Sequence, residues 1–445
     1  MDTISEYGMF TYRHMLPRSA TPRLLRLIEH FPVVVVAGAR QVGKTTLLHA
    51  LFGATWPIVT LDPAEDIGQA RADPDLFLAS HPGPLIVDEI QYAPELVAAI
   101  KRSVDRDRRP GRFLLTGSQQ WSVMRALAES LAGRAVFLDL SGFTLQERAG
   151  AGTATPWLHA WLASPSEGTL RELTRLDLGR GLNELLYRGT LPEAWSLPLD
   201  VLPDFFLGYR RTYLERDVRQ LADIQDVQLF SRFIGLAAAL SAQEINASQL
   251  GRELNVSPPT ARRWLGLLEG SFQWFAVPPW STNVVKRASG RSRGYLADSG
   301  FACASQVLAS PAALDVYPRR GALFEAAVVA ELRTQAALLS PRPNLWHWRL
   351  HSGAEVDLLL EWNGTVYPFE IKLHSNPGRD AVRGIEAFRS AHPGLRVAPG
   401  LVIAPCAGVT ALTPTDWAVP WDAALRRGTL SGVAPERGGG EAARG

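Results

Sequence analysis

An α/β fold built on parallel strands is the first expectation from this 445-residue sequence, and three stretches carry it. Val33-Val34-Val35-Val36 runs into Gly38-Ala39-Arg40-Gln41-Val42-Gly43-Lys44-Thr45-Thr46 and then Leu47-Leu48. Pro84-Leu85-Ile86-Val87 ends in the acids Asp88-Glu89. Arg112-Phe113-Leu114-Leu115 ends in Thr116-Gly117-Ser118. Unbroken apolar runs of this length read as strands buried on both faces, the condition of a parallel sheet covered by helices.

The first stretch contains G-x-x-x-x-G-K-T between a strand and a helix, the spacing of a phosphate-binding loop. Glycines let the backbone curl so that its N–H groups and the next helix N-terminus face an anion. Gly38 to Thr46 are therefore expected to cradle a nucleoside triphosphate, ATP, with Lys44 reaching the β- and γ-phosphates and Thr45 holding Mg²⁺. In the second stretch Asp88 is expected to orient Mg²⁺ and Glu89 to polarise the attacking water. An acid pair at a strand end is otherwise a solvated surface feature; the phosphate loop upstream favours the catalytic reading. The polar end of the third strand belongs beside the acidic strand of an additional-strand ATPase, where Ser118 or Thr116 would sense the γ-phosphate; a plain strand-ending turn is the alternative. Arg134, at the tip of the Leu131–Arg134 turn before the strand Ala135–Leu138, is a candidate arginine finger serving a neighbouring subunit, or a solvated surface arginine.

Composition narrows the class. With 46% hydrophobic and 20% charged residues the chain reads as ordinary globular material, long enough for two or three domains. Its formal charge of +2 excludes little, because a basic face can hide in a balanced total. Cys303 and Cys406 are too few for a disulfide framework or a zinc site. No apolar run approaches the ~18 residues of a membrane span, and the first twenty residues lack a secretory signal. A cytoplasmic protein without membrane contact is expected. Lysine occurs only at Lys44, Lys101, Lys286 and Lys372, so 42 of the 46 basic residues are arginine. Two of those four lysines fall in motifs that need a compact, tunable ammonium.

The remaining elements follow in order. Pro22 to His30 has helical spacing, Pro57 to Leu61 reads as a strand, and Asp73-Pro74-Asp75 opens a short helix. GARQVGKTT, LIVDEIQ, LLTGSQ, ESLAGRA and SGFTLQE together resemble the AAA-type ATPases of bacteria and archaea that carry a C-terminal domain of unknown function numbered 4143. YLERDVRQLADI, LADSGFA and GALFEAAVVAEL resemble that C-terminal part, so the likeness runs from about Arg13 to Pro405. It implies an ATP-binding fold whose cellular role is poorly defined.

The stretch 149–180, rich in Gly, Ala, Thr and Pro, reads as a linker or helical insertion. A helical pattern from Phe205 to Leu221 carries Arg210, Arg211, Arg216, Asp217 and Arg219 on its polar side. Between 241 and 305 a capped helix 248–254, the turn Asn255-Val256-Ser257 and a proline-started helix 258–268 form a helix-turn-helix. A β-hairpin from Phe272–Val277 and Gly294–Ala297 would add a wing with Lys286, Arg287, Arg291 and Arg293 in its tip. Such a wing binds DNA phosphates, although many winged helices serve only as protein-contact modules.

Glu355 to Leu360 and Tyr367 to Lys372 read as strands joined by the hairpin signal Asn363-Gly364. Asp357 followed by Glu370-x-Lys372 on the returning strand resembles the core of the PD-(D/E)xK nuclease fold. Period-2 geometry puts Glu370 and Lys372 on one face. The resemblance implies Mg²⁺ on Asp357 and Glu370, Lys372 polarising water, and Glu325 from the preceding helix completing the set. A solvated hairpin face, or a nuclease fold retained as a silent DNA clamp, would leave the same residues. Leu401 to Ala404 is a further strand, Trp417 to Leu425 a docking helix, and 431–445 a flexible tail.

The expected plan is an ATPase domain over 1–148, a linker and helical region over 149–240, a winged helix over 241–305 and a nuclease-like domain over 306–430. The expected activity is Mg-dependent ATP hydrolysis coupled to DNA, duplex or branched, in a homo-oligomer completed by Arg134. A nucleotide-controlled signalling or defence switch that binds protein, and an ATP-regulated nuclease, are the alternatives.

Overall fold

Why four valines in a row make a strand is visible in what each touches. In β1 (Val33–Ala37), Val34 and Val36 pack with Leu24 and Leu47, whereas Val33 and Val35 pack with Leu96 and Ile100 on the other face. Both faces are covered, so no position tolerates a polar residue. The computed structural model describes residues 15–61, 67–117, 130–213, 226–283, 287, 290–350 and 352–426.

The first half holds α1 (Thr21–Ile28), α2 (Lys44–Phe52), β2 (Ile58–Thr60), α3 (Gly68–Ala72), α4 (Pro74–Ser80), β3 (Leu85–Asp88), α5 (Leu96–Arg106), β4 (Phe113–Gly117) and β5 (Ala135–Asp139). Its five strands are parallel in the order β2-β3-β4-β1-β5, so β4 stands between the loop strand and the acidic strand. That is the sheet the sequence predicts, additional strand included.

The stretch 149–180 is more than a connection. After α6 (Leu145–Arg148) come α7 (Trp157–Ala163), α8 (Glu167–Arg171) and β6 (Leu173–Arg175), with Trp157, Leu158, Trp161 and Leu162 buried. Next are α9 (Leu182–Arg188), α10 (Pro192–Ser196), α11 (Leu202–Thr212) and α12 (Val227–Ala239). Arg216, Asp217 and Arg219 of the expected long helix lie outside the described residues.

β7 (Gln243–Glu244) leads to α13 (Ala247–Leu254), which Asn246 caps, and Asn255 then turns the chain at φ +55°. Ser257 caps α14 (Pro258–Gly270), which starts on the predicted prolines. β8 (Trp274–Val277) and β9 (Arg293–Leu296) pair antiparallel, and β9 also takes β7. Two arginines expected at the tip of this hairpin point elsewhere. Arg293 lies within β9, buried, and Arg287 sits over the rings of Trp280 and Trp346, 5.2 and 4.9 Å from their centroids. Acidic partners downstream and the rings of Trp280 and Trp346 draw them inward. Lys286 lies outside the described residues.

The last part comprises α15 (Ser299–Ser305), α16 (Arg320–Ala336), β10 (Asn344–Arg349), β11 (Glu355–Trp362), β12 (Thr365–Ile371), α17 (Arg383–Ala391), β13 (Gly400–Ala404), β14 (Thr410–Ala411), β15 (Asp416–Pro420) and β16 (Ala423–Leu425). The sheet order is β10-β11-β12-β13-β15-β14, antiparallel through β12 and parallel from β12 to β15. Asn363 and Gly364 turn the β11–β12 hairpin at φ +47° and +75°, the sign their residue types favour. Trp417 to Leu425 is not a helix: β15 completes this sheet and β16 pairs antiparallel with β6. Open strand edges on both neighbours outweigh the local pattern there.

α16 ties the two halves together. The Glu331 carboxylate accepts the Leu145 N–H at 3.2 Å and the Gln335 side-chain N–H at 2.8 Å. Desolvation by the surrounding helices raises its pKa from 4.5 to about 7. The protonated form is thus favoured by folding, and this contribution is lost as pH rises through about 7. Glu331→Gln is expected to melt higher than the parent at pH about 8, with the gap closing toward pH about 5; thermal melts at both values check it.

Candidate functional site

The phosphate loop has its shape because two glycines occupy places no side chain could. A Cβ on Gly38 would stand 2.1 Å from the Leu140 carbonyl oxygen, and Gly43 takes φ +90° as it enters α2. Gln41, at φ +60°, holds a left-handed conformation without being glycine, a cost met mainly at functional loops. Lys44 is buried and its Nζ donates to the Gly38 and Ala39 carbonyls, both at 2.9 Å. The ammonium therefore already lies across the loop mouth. Val42 is buried, Thr46 is exposed, and the Arg40 guanidinium reaches the Tyr92 hydroxyl at 3.4 Å.

Parallel register carries β3 beside this loop. The Thr45 hydroxyl lies 3.1 and 3.0 Å from the two Asp88 carboxylate oxygens. Burial pushes the Asp88 pKa up, against hydrogen bonds from Thr116 and Thr45 and the charge of Lys44. A buried carboxylate facing a hydroxyl is a pair of hard oxygen donors, which suits Mg²⁺. Glu89 follows at φ +58°, and its carboxylate accepts a hydrogen bond from the Gln91 side chain.

Thr116 lies between the two acids. Its hydroxyl donates to Asp88 and accepts the Glu89 N–H at 3.0 Å, so it orients both acids. Ser118 lies outside the described residues. Arg134 precedes β5 at the end of the sheet opposite the loop, since Val33 pairs with Ala135 and Ala37 with Asp139. It pairs with Asp105 at 2.5 Å and cannot reach its own phosphate loop.

Arg18 carries no sequence signal, yet it holds the back of the loop. Its guanidinium donates to the carbonyls of Val42 at 2.7 Å and Ser141 at 2.6 Å, pairs with Glu147 at 3.2 Å, and lies 5.0 Å from the Phe143 ring centroid. Glu147 in turn closes a capping box with Thr144.

The second constellation is also assembled. Asp357 and Glu370 are buried, and Lys372 lies 2.9 Å from Glu370 and 3.6 Å from Asp357. Glu325 reaches this cluster from α16. Missing from the sequence reading are Arg293, 3.1 Å from Asp357 and 3.4 Å from Glu325, and the Tyr295 hydroxyl, which donates to Glu325 at 3.2 Å. Burial and Asp357 push Glu325 up to about 8 and Glu370 well above the carboxylate range. Burial acts on Asp357 in the same direction, but Lys372 and Arg293 hold its pKa below the ordinary value.

Similarity to known proteins follows the same division. A model described as an AAA domain matches residues 30–149, and domains of unknown function numbered 8612 and 4143 match 179–312 and 320–423. Over 414 residues the chain is 33% identical to the uncharacterized protein Rv2008c of Mycobacterium tuberculosis, and equally to Mb2031c of Mycobacterium bovis, covering 93% of this chain and 85% of each relative. The chain belongs to their family, the AAA-type ATPases with a C-terminal domain 4143. Among solved structures, the Walker-type ATPase PABY2304 of Pyrococcus abyssi aligns with 66% of this AAA ATPase and 99% of itself, at 14% identity and TM-score 0.38. A signal-transduction ATPase with a tetratricopeptide sensor, PH0952 of Pyrococcus horikoshii, aligns with 69% of this chain and 44% of itself, at 11% identity and TM-score 0.23. Among the described residues no helix of this AAA ATPase is long and apolar enough to cross a membrane.

Arg18→Ala would remove the hydrogen bond to Val42 and leave Glu147 buried without its cation, a loss of about 3–5 kcal/mol. Urea unfolding is expected to register it. Arg18→Lys keeps a charge but not the fork, and losing one loop hydrogen bond of about 1 kcal/mol should weaken ATP binding about fivefold, measurable by calorimetry.

Proposed function

We propose that this AAA ATPase hydrolyses Mg-ATP in its phosphate loop and that the cycle is read by its C-terminal half. The observation that carries the reading is the Thr45 hydroxyl set 3.0 Å from the Asp88 carboxylate, beside Lys44 and Glu89. Thr45 and Asp88 would hold the metal, which when bound supplies charge neutralisation between the phosphates. Lys44 leaves the Gly38 and Ala39 carbonyls for the β- and γ-phosphates. Glu89, fixed by Gln91 and by Thr116 behind it, takes the proton of the attacking water. Arg134 points away from its own loop, so it acts on the nucleotide of an adjacent copy in a homo-oligomer.

Coupling has a short hydrogen-bonded route. The Phe143 N–H donates to the Thr190 carbonyl at 2.7 Å, and the Thr190 N–H and hydroxyl donate to Asp298 at 2.5 and 2.7 Å. Asp298 caps α15, which leads into α16. A shift of the loop behind the phosphates therefore bears directly on the helices under the C-terminal sheet.

DNA is the partner we favour for that half, because Arg252, Arg262 and Arg263 of the helix-turn-helix and Arg291 of the wing are exposed. Four such arginines are a small footprint, to be read chiefly by phosphate contacts. A protein partner is the second reading, favoured by the inward turn of Arg287 and Arg293, which leaves the wing less basic than its sequence suggests.

Glu89→Gln is expected to keep ATP bound and lower turnover about 100-fold or more; equal turnover would remove Glu89 from the base position. Adding duplex or branched DNA to the parent should stimulate hydrolysis more than about threefold, fading as salt rises. No stimulation at any salt concentration would favour the protein partner.

A further inference from the structure

Four carboxylates meet where β9 crosses the C-terminal sheet: Glu325 from α16, Glu355 and Asp357 from β11, and Glu370 from β12. Two cations answer them. Lys372 serves Glu370 at 2.9 Å and stands 3.6 Å from Asp357. Arg293 serves the other side, with one guanidinium nitrogen 3.1 Å from Asp357 and 3.4 Å from Glu325, and another 2.6 Å from Glu355. The second Asp357 oxygen accepts the Ile371 N–H at 2.9 Å. Both oxygens of the central acid thus have partners from within the chain.

The arginine is delivered by a strand built for it. Residues two apart on a strand share a face, and Arg293 and Tyr295 both reach Glu325. Between them Gly294 leaves room for the Trp274 ring, which a Cβ would meet at 2.0 Å. Tyr295 stacks on Phe275 with centroids 5.2 Å apart, so β9 cannot rotate Arg293 away without unstacking that pair. On the far side a Cβ on Gly384 would stand 2.5 Å from a Glu370 oxygen, which closes the pocket behind the acids.

A nuclease-like reading of these residues calls for a divalent cation on Asp357 and Glu370. One guanidinium nitrogen stands 3.1 Å from Asp357 and 3.4 Å from Glu325, so a metal ion shared by those two carboxylates would have to displace it, and the donor set does not fit the ion while it is there.

We propose that Arg293 of the wing is the resident cation of this carboxylate pocket, so that Arg293 and a divalent metal ion are mutually exclusive occupants. The pocket is then a socket that locks the wing onto the C-terminal sheet, and metal enters only when β9 withdraws. This goes beyond the ATPase reading and does not depend on nucleotide turnover.

The test is Mn²⁺ binding to the full chain, followed by the paramagnetic resonance of free Mn²⁺, in the parent, Arg293→Gln, Asp357→Asn and the double variant. Asp357-dependent binding, the part lost with Asp357→Asn, is expected to be at least about tenfold weaker in the parent than in Arg293→Gln. It should vanish again in the double variant. Thermal melting and ATP binding verify that Arg293→Gln is folded. Should it not fold, Arg293→Lys replaces it, because one ammonium cannot span Asp357 and Glu355 together, and a smaller gain of Mn²⁺ affinity is expected. Asp357-dependent Mn²⁺ binding in the parent as tight as in the variant, or no gain in a folded variant, overturns the proposal.

Discussion

The architecture around the phosphate loop depends on one buried guanidinium. Arg18 bridges the carbonyls of Val42 and Ser141 and the carboxylate of Glu147, so two segments about a hundred residues apart share one cation. The strained conformations at Gln41 and Glu89 persist because neighbours over-determine them. Thr116 does for the acids what Arg18 does for the loop, tying Asp88 to the Glu89 backbone. The reacting groups are thus held from behind by residues that never face the nucleotide side of the loop.

One apolar core runs from the ATPase sheet through the later segments, and polar contacts at a few points fix their positions. Glu147, Thr190, Asp298 and Glu331 each receive backbone N–H groups from another segment or cap a helix. Backbone hydrogen bonds of this kind transmit position, because a helix capped by Asp298 moves with the residue that holds Asp298. The pocket around Arg293 is a second junction, between wing and C-terminal sheet.

Much of this was legible in the sequence where the signal is local. The phosphate loop, the acidic strand end, the intervening strand, the capped helices around Asn255 and the Asn363-Gly364 turn all depend on residues within a few positions of one another. What could not be read depends on distance. The partners of Arg293 lie 32, 62 and 64 residues away, so its sequence neighbourhood of glycines and arginines suggests a solvated tip. Arg18 is an arginine among many in a chain that uses little lysine. Trp417 to Leu425 has a pattern compatible with a helix, and only the free edges of β13 and β6 make it strand.

The pairing of β16 with β6 joins the last described strand to one near the middle of the chain, sealed by Arg175 and Asp422 at 2.7 Å. During synthesis the ATPase sheet can close as soon as β5 leaves the ribosome, but β6 must remain an open edge until β16 follows, Asp422 lying 247 residues beyond Arg175. A product lacking β16 leaves β6 as an exposed edge, a ready template for pairing with another chain.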